Sequence, residues 1–170
     1  MPLTPRPRGV TLIEVLVAVL VFSVGLLGAA SLMVMAGRSN QAAYLRTQVT
    51  FLAQNMAERM QANPIGVWNG HYNGNYPDAS AQDCAAGCTA AQLAQHDRQR
   101  WSSQLKTFLP PDTQASIRCS HGGLAHVPTP EQILQRPPYG GNCSMQVAWP
   151  ERQLAGGDAP RQTFAWEFQP

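Results

Sequence analysis

Between Val15 and Ala36 the chain carries no ionisable side chain, only Val, Leu, Ala, Phe, Met, Gly and Ser. Those twenty-two residues, wound as a helix, are long enough to cross a hydrocarbon core of about 30 Å. Past Arg38 the pattern turns amphipathic: Leu45, Val49, Leu52, Met56 and Met60 recur every three or four positions, with Arg46, Gln48, Gln54 and Arg59 between them. That spacing lays an apolar stripe along one helix face. Together the two stretches predict one helix from Val10 to Ala62, fifty-three residues and about 80 Å in length. Asn63-Pro64 ends it, because the residue before a proline is pushed out of the helical region.

Residues 63–88, with "NGHYNGNYPDAS", have turn chemistry without a period and predict an ordered loop. Thr89 followed by Gln92 has the form of a capping box. Leu93, Asp97, Trp101, Leu105 and Leu109 then recur at every fourth position up to Pro110-Pro111, which predicts a second, shorter helix. Asp97 lies on its apolar side, where a hydrogen-bonded orienting group is expected rather than a functional acid. Three later segments alternate with period two: Ala115, Ile117 and Cys119; Cys143, Met145, Val147 and Trp149; Phe164, Trp166 and Phe168. They predict antiparallel strands. A Pro- and Gly-rich loop, Ser120 to Asn142, separates the first two, and a short turn around "AGGD" precedes the third. No internal repeat is visible.

Composition adds a compartment to this outline. A chain of 170 residues suits one domain plus an appendage. Charged residues make up only 13%, against about 25% in an average soluble protein, and the apolar excess sits at the N-terminus. Arg6 and Arg8 precede the apolar run, so the positive-inside tendency keeps the extreme N-terminus cytoplasmic and sends the body across the membrane. The formal charge is +2; both leader arginines contribute to it, and the remainder is balanced. No basic stripe marks the body, so no nucleic-acid partner is expected.

Four cysteines, Cys84, Cys88, Cys119 and Cys143, all fall in the exported body, where disulfides form and persist. Four cysteines allow three pairings. If the first two strands pair antiparallel, Cys119 and Cys143 meet at facing strand ends, and Cys84 with Cys88 would staple the turn before the second helix. A metal site would have His71, His96, His121 and His126 to draw on, but the cysteine spacing matches no zinc finger or ribbon, and no metal or other cofactor is expected. Nor is there a Cys-x-x-Cys redox pair. The sequence shows no nucleophile elbow, His-Glu-x-x-His pair or phosphate-cradling loop, and no enzyme is expected. Gly122-Gly123, Gly140-Gly141 and Gly156-Gly157 read as turn residues.

Glu14 is the exception within this pattern, a carboxylate at the head of a membrane-grade helix. Three explanations compete. The segment could be a secretory signal cut near Gly28, Ala29 and Ala30, although the apolar run continues beyond any such cut. It could be a plain anchor in which Glu14 reaches the interface and gains from the helix dipole. Or the chain is cut after Gly9, and each copy then carries an ammonium on Val10 four residues from the carboxylate. Both charges are costly in lipid and are relieved by pairing, Glu14 of one subunit with the amine of its neighbour.

"RG" followed by "VTLIEVLVAVLVFSVGLLG" resembles the N-termini of type IV prepilins and pseudopilins. The resemblance implies an inner-membrane aspartyl peptidase that cleaves after Gly9 and N-methylates Val10, and it gives Glu14 the assembly role. Val10 departs from the usual phenylalanine or methionine, and Ser31 stands where major pilins often carry a kinking proline. Gly25 and Gly28 remain as residues that loosen a helix. Downstream, "FLAQNMAERMQANP", the arrangement Asp97, Trp101 and Leu105 followed by Leu109-Pro110, and a late strand ending at Trp149 are similar to the PilV-like type IV pilus modification proteins, a group of minor pilins.

The resemblance implies an α+β pilin-like fold, a long N-terminal helix packed on a small antiparallel sheet with disulfide-bearing loops. Its divisions would be a leader at 1–9, an assembly half of the helix at 10–36, an amphipathic half at 37–62 and a periplasmic domain at 63–170. It also implies a protein without catalysis. Such a protein is processed by the prepilin peptidase and joins other minor pilins, the major pilin and the inner-membrane assembly machinery to prime and cap a pilus. A tip adhesin is a further partner, and twitching and adhesion are the outputs. After assembly the chain would lie in the pilus at the cell surface. The alternatives are a minor pseudopilin of a type II secretion system and, less in keeping with the motif, a membrane-anchored periplasmic metal binder or enzyme.

Overall fold

The computed structural model describes residues 9–78, 81–124, 126–151 and 160–170. Arg6, Arg8 and the turn expected around "AGGD" lie outside them. Two compact units divide the chain, Met1–Ala43 and Tyr44–Pro170. Helix α1 covers Leu12–Ala62, so it supplies most of the first unit and one face of the second unit's core.

Within the second unit α1 buries Leu45, Val49, Leu52, Ala53, Met56, Ala57 and Met60, the stripe read from the sequence with two small alanines added. The chain turns at Asn63. Pro64 opens a one-turn helix, α2 (Pro64–Trp68), in which proline at the first position sacrifices no helical hydrogen bond. Asn63 caps it by accepting from the Gly66 amide at 3.2 Å. A Cβ on Gly66 would collide with that cap. Strand β1 (Gly74–Tyr76) follows, then helix α3 (Ala90–Phe108). Thr89 starts α3 with both halves of its capping box formed. Strand β2 is Gln114–Ser120. A single turn, α4 (Pro130–Ile133), interrupts the long loop, and strands β3 (Asn142–Pro150) and β4 (Arg161–Phe168) complete the fold.

The four strands among the described residues pair antiparallel in chain order. Register places Ala115, Val147 and Phe164 in one row across the sheet, Ile117, Met145 and Trp166 in the next, and Cys119, Cys143 and Phe168 in the third. Because side chains alternate across a strand, each row sits on the face toward the core. The architecture is therefore α+β, a long helix and a small antiparallel sheet with disulfides, as expected.

Two departures from the sequence reading have simple causes. The row Leu93-Asp97-Trp101 slips out of phase: Ala94 is fully buried and Leu93 only half-buried. At 100° per residue, position 93 lies about 80° from Trp101 around the helix and position 94 only about 20°. Strand β1 falls in the stretch read as loop. Its three residues are too few to show a period, and it is defined by its pairing to β2 and by the Arg118 guanidinium, which donates to Gly74 O at 2.7 Å and Asn75 Oδ1 at 2.8 Å.

Disulfides join Cys84 to Cys88 and Cys119 to Cys143. The second links directly opposed residues of β2 and β3. Closing a loop of that length adds roughly 3 kcal/mol in the chain-entropy model.

Polar fasteners then hold α3 and the α2 turn to α1. Asp97, buried beside the core, accepts from Arg59 Nη1 at 3.0 Å and from the Tyr72 hydroxyl at 2.8 Å. Arg59 also donates to Asn55 Oδ1 at 2.9 Å, and Asn63 Nδ2 donates to the Tyr72 oxygen at 3.1 Å and to Ala90 O at 2.8 Å. Trp101 Nε1 donates to the Leu52 carbonyl at 2.9 Å. Nearby, the Tyr76 hydroxyl donates to Tyr72 O at 2.6 Å, and its ring meets Trp101 edge-on at 4.9 Å. The acid on the apolar side of α3 is thus an orienting group with two donors of its own.

Burial raises the pKa of both Tyr72 and Tyr76, with the Asp97 carboxylate adding to the effect at Tyr72. Both phenols stay protonated in the fold at a pH where an unfolded chain, with a value near 10, releases its protons. Their contribution is fully present below about pH 10 and is lost as pH rises above it, by up to about 1.4 kcal/mol per pH unit for each phenol. Between pH 10 and 12 the denaturation midpoint should fall, and the tyrosinate absorbance of Tyr72 and Tyr76 should appear only with unfolding. Tyr72→Phe should make the slope shallower; an unchanged slope would contradict the assignment.

Candidate functional site

The N-terminal segment starts from one local cap. Thr11 O accepts from the Glu14 amide at 3.1 Å and the Val15 amide at 3.3 Å, and Thr11 Oγ1 accepts from the Glu14 amide at 3.4 Å. Thr11 is therefore the N-cap, α1 begins at Leu12, and Gly9 and Val10 remain outside the helix, two residues short of the start expected from sequence. Thr11-x-x-Glu14 has the same capping form as Thr89-x-x-Gln92, so Thr11 was legible in the sequence although the hydrophobic pattern passes over it.

Glu14 stands in the first helical turn, where the free amides and the helix dipole favour an anion. Its carboxylate makes no hydrogen bond or ion pair with a described residue. Along the same face Val10, Glu14, Ala18, Val19 and Phe22 line a shallow apolar depression. Val10 is 71% exposed and Phe22 66%. One acid thus sits within an exposed apolar strip, four residues from Val10.

Further along, Ser23 Oγ donates to Val19 O and Ser31 Oγ to Gly28 O, each at 2.7 Å. These hydroxyls are satisfied by their own helix, the condition for placing them in lipid. The helix runs unbroken through Gly25 and Gly28. Large apolar residues from Leu12 to Met35 lie open along α1, a patch far beyond what water tolerates on a soluble surface. By length and composition α1 can cross a membrane.

Residues 5–30 match the prokaryotic N-terminal methylation motif. The match supports a type IV pilin-like protein. It implies processing by a prepilin peptidase and assembly with pilus machinery, and together with the apolar helix it supports anchoring in the inner membrane. The motif suggests a structural protein rather than an enzyme. No curated protein and no solved structure matches the chain.

The residues singled out for the pilin-like role fall in two separate places. Gly9, Val10 and Glu14 gather at the head of α1 in the first unit; the cysteines belong to the second. Cys84–Cys88 lies in the loop before α3 and Cys119–Cys143 in the sheet. Among the described residues no group of three or more His, Cys, Asp or Glu side chains is placed to hold a metal ion.

Proposed function

We propose that this chain is a minor pilin of the PilV-like kind, cleaved after Gly9, methylated on Val10 and held in register by Glu14. The observation that carries the proposal is the Glu14 carboxylate, exposed among apolar side chains at the start of a membrane-grade helix, without a partner among the described residues and four residues from Val10. An acid so placed needs a cation from elsewhere once lipid surrounds it. The Val10 ammonium of a neighbouring subunit supplies one.

In this account residues 1–9 are the leader, 10–36 span the membrane, 37–62 carry the body and 63–170 fold in the periplasm. Co-assembly with other minor pilins would prime a pilus and cap its tip. Support for the PilV-like kind comes from Asp97, Trp101 and Leu105, three residues of the resemblance that all face the core. The methylation motif is equally compatible with a pseudopilin of a type II secretion system, and neighbouring genes separate the two.

The mass of the mature chain tests the proposal. Chain recovered from cells that contain the peptidase should begin at Val10, carry one added methyl group and lack the four thiol hydrogens removed by two disulfides. Gly9→Leu should keep the leader and remain in the inner membrane. Normal shortening of that variant would refute the cleavage site.

A further inference from the structure

The two edges of the sheet are built differently. Strand β1 is three residues long, stops before Pro77, and is fastened to β2 by the Arg118 guanidinium. A short strand ended by proline offers little to pair with. Strand β4 has eight residues, and its register against β3 holds without a bulge from Arg161 to Phe168. It contains neither proline nor lysine. In an antiparallel pair half of an edge strand's amides and carbonyls point away from the neighbour, and among the described residues no segment pairs with those of β4.

Side chains on the same strand specify what could pair there. On the core face Phe164, Trp166 and Phe168 are only half-buried, whereas their neighbours across the ladder, Val147, Met145 and Cys143, are completely buried. Trp166 and Phe168 stack at 4.6 Å, forming a continuous aromatic rim beyond β3. On the outer face Thr163, Ala165 and Glu167 are exposed, and Glu167 forms no ion pair with a described residue. Arg161, the one cation of β4, donates to Asp112 O at 2.8 Å and Ala148 O at 3.3 Å. Arg161 is the only cation that a second copy of β4 could bring to Glu167, and these two carbonyls already hold it.

We propose that the free edge of β4 receives an extended strand from another polypeptide, apolar at every second position and basic where it passes Glu167. The incoming backbone would satisfy the outward amides and carbonyls, and its alternate apolar side chains would complete the cover over Phe164, Trp166 and Phe168. This does not rest on cleavage at Gly9 or on Glu14.

Hydrogen exchange of the full-length chain in detergent tests it. The probe is a synthetic peptide of about ten residues, the length of a long strand, alternating valine and threonine with a lysine at each end. It should slow exchange of β4 amides by about tenfold or more and leave β1 unchanged. Thr163→Lys combined with Ala165→Lys, both on the exposed face, should melt like the parent and lose the protection; Ala165→Lys alone serves if the pair disturbs folding. Glu167→Lys should weaken the lysine peptide and restore binding to one ending in glutamate. Absence of protection on β4, equal protection in the lysine variants, or protection that grows with protein concentration without peptide would overturn the proposal, the last by making a second copy the occupant.

Discussion

Trp101→Ala is expected to destabilise the body by about 3–5 kcal/mol, the cost of removing a large buried aromatic from a packed core. The side chain is fully buried and lies between α1 and the Tyr76 ring. Its deletion opens a cavity against Leu52, Leu105 and Tyr76, none of which can collapse into the space while α1 and the sheet hold their places. At roughly 2–4 °C per kcal/mol for a chain of this size, the midpoint should drop by about 10 °C. Trp101→Phe separates packing from hydrogen bonding. It keeps a ring but removes the donor to Leu52 O, a carbonyl that also belongs to the helix ladder, so the loss should be nearer 1 kcal/mol. Thermal denaturation of the full-length protein in detergent, followed by near-ultraviolet circular dichroism, would show both. An alanine variant within 1 kcal/mol of the parent would mean that α3 does not depend on this anchor.

Sequence periodicity located α1, α3 and three of the four strands because each repeats a side-chain pattern over enough residues to reveal its period. Thr89 and Gln92 were legible for a different reason: a cap is a contact between residues three apart. The same locality made Gly9, Val10 and Glu14 stand out as a candidate site. What escaped was either too short or too distant. Strand β1 has three residues and owes its existence to Arg118 on another strand. Arg59 looked like a polar spacer in an amphipathic helix, yet it reaches Asp97, 38 positions away, and Tyr72 reaches the same carboxylate from 25 positions away. No spacing rule connects such residues, because only the folded chain brings α1, the α2 turn and α3 to one point. Thr11 is the instructive miss, since its capping pattern was present and the apolar run around it drew attention away.

These fasteners bear on the helix that carries Glu14. Arg59 and Leu52 O tie α3 to the second half of α1 through groups that are buried or half-buried. A polar contact out of water has a specific geometry and cannot slide as an apolar contact can, so it fixes the rotation of that half of the helix against its own sheet. Deleting Trp101 therefore tests the body, whereas deleting Glu14 tests the opposite end of the same helix. The two variants should fail in different assays.

Glu14→Ala should leave cleavage and folding intact and reduce incorporation into pili by two orders of magnitude or more. The size follows from the proposed pairing. Removing one member of a desolvated ion pair leaves the other charge uncompensated, at about 3–5 kcal/mol, and each 1.4 kcal/mol is a factor of about ten in an equilibrium. Loss of the first-turn acid from the helix dipole accounts for no more than about 1 kcal/mol, and the Thr11 cap remains in place. Glu14→Gln discriminates charge from shape: it preserves the volume of the side chain within the strip formed by Val10, Ala18 and Phe22 but cannot neutralise an ammonium. If pairing governs register, Gln should fail as completely as Ala, with processed subunit accumulating in the membrane fraction and missing from sheared pili by immunoblot. Wild-type incorporation of the Gln variant alongside failure of Ala would reassign Glu14 to packing, and wild-type incorporation of both would remove it from assembly altogether.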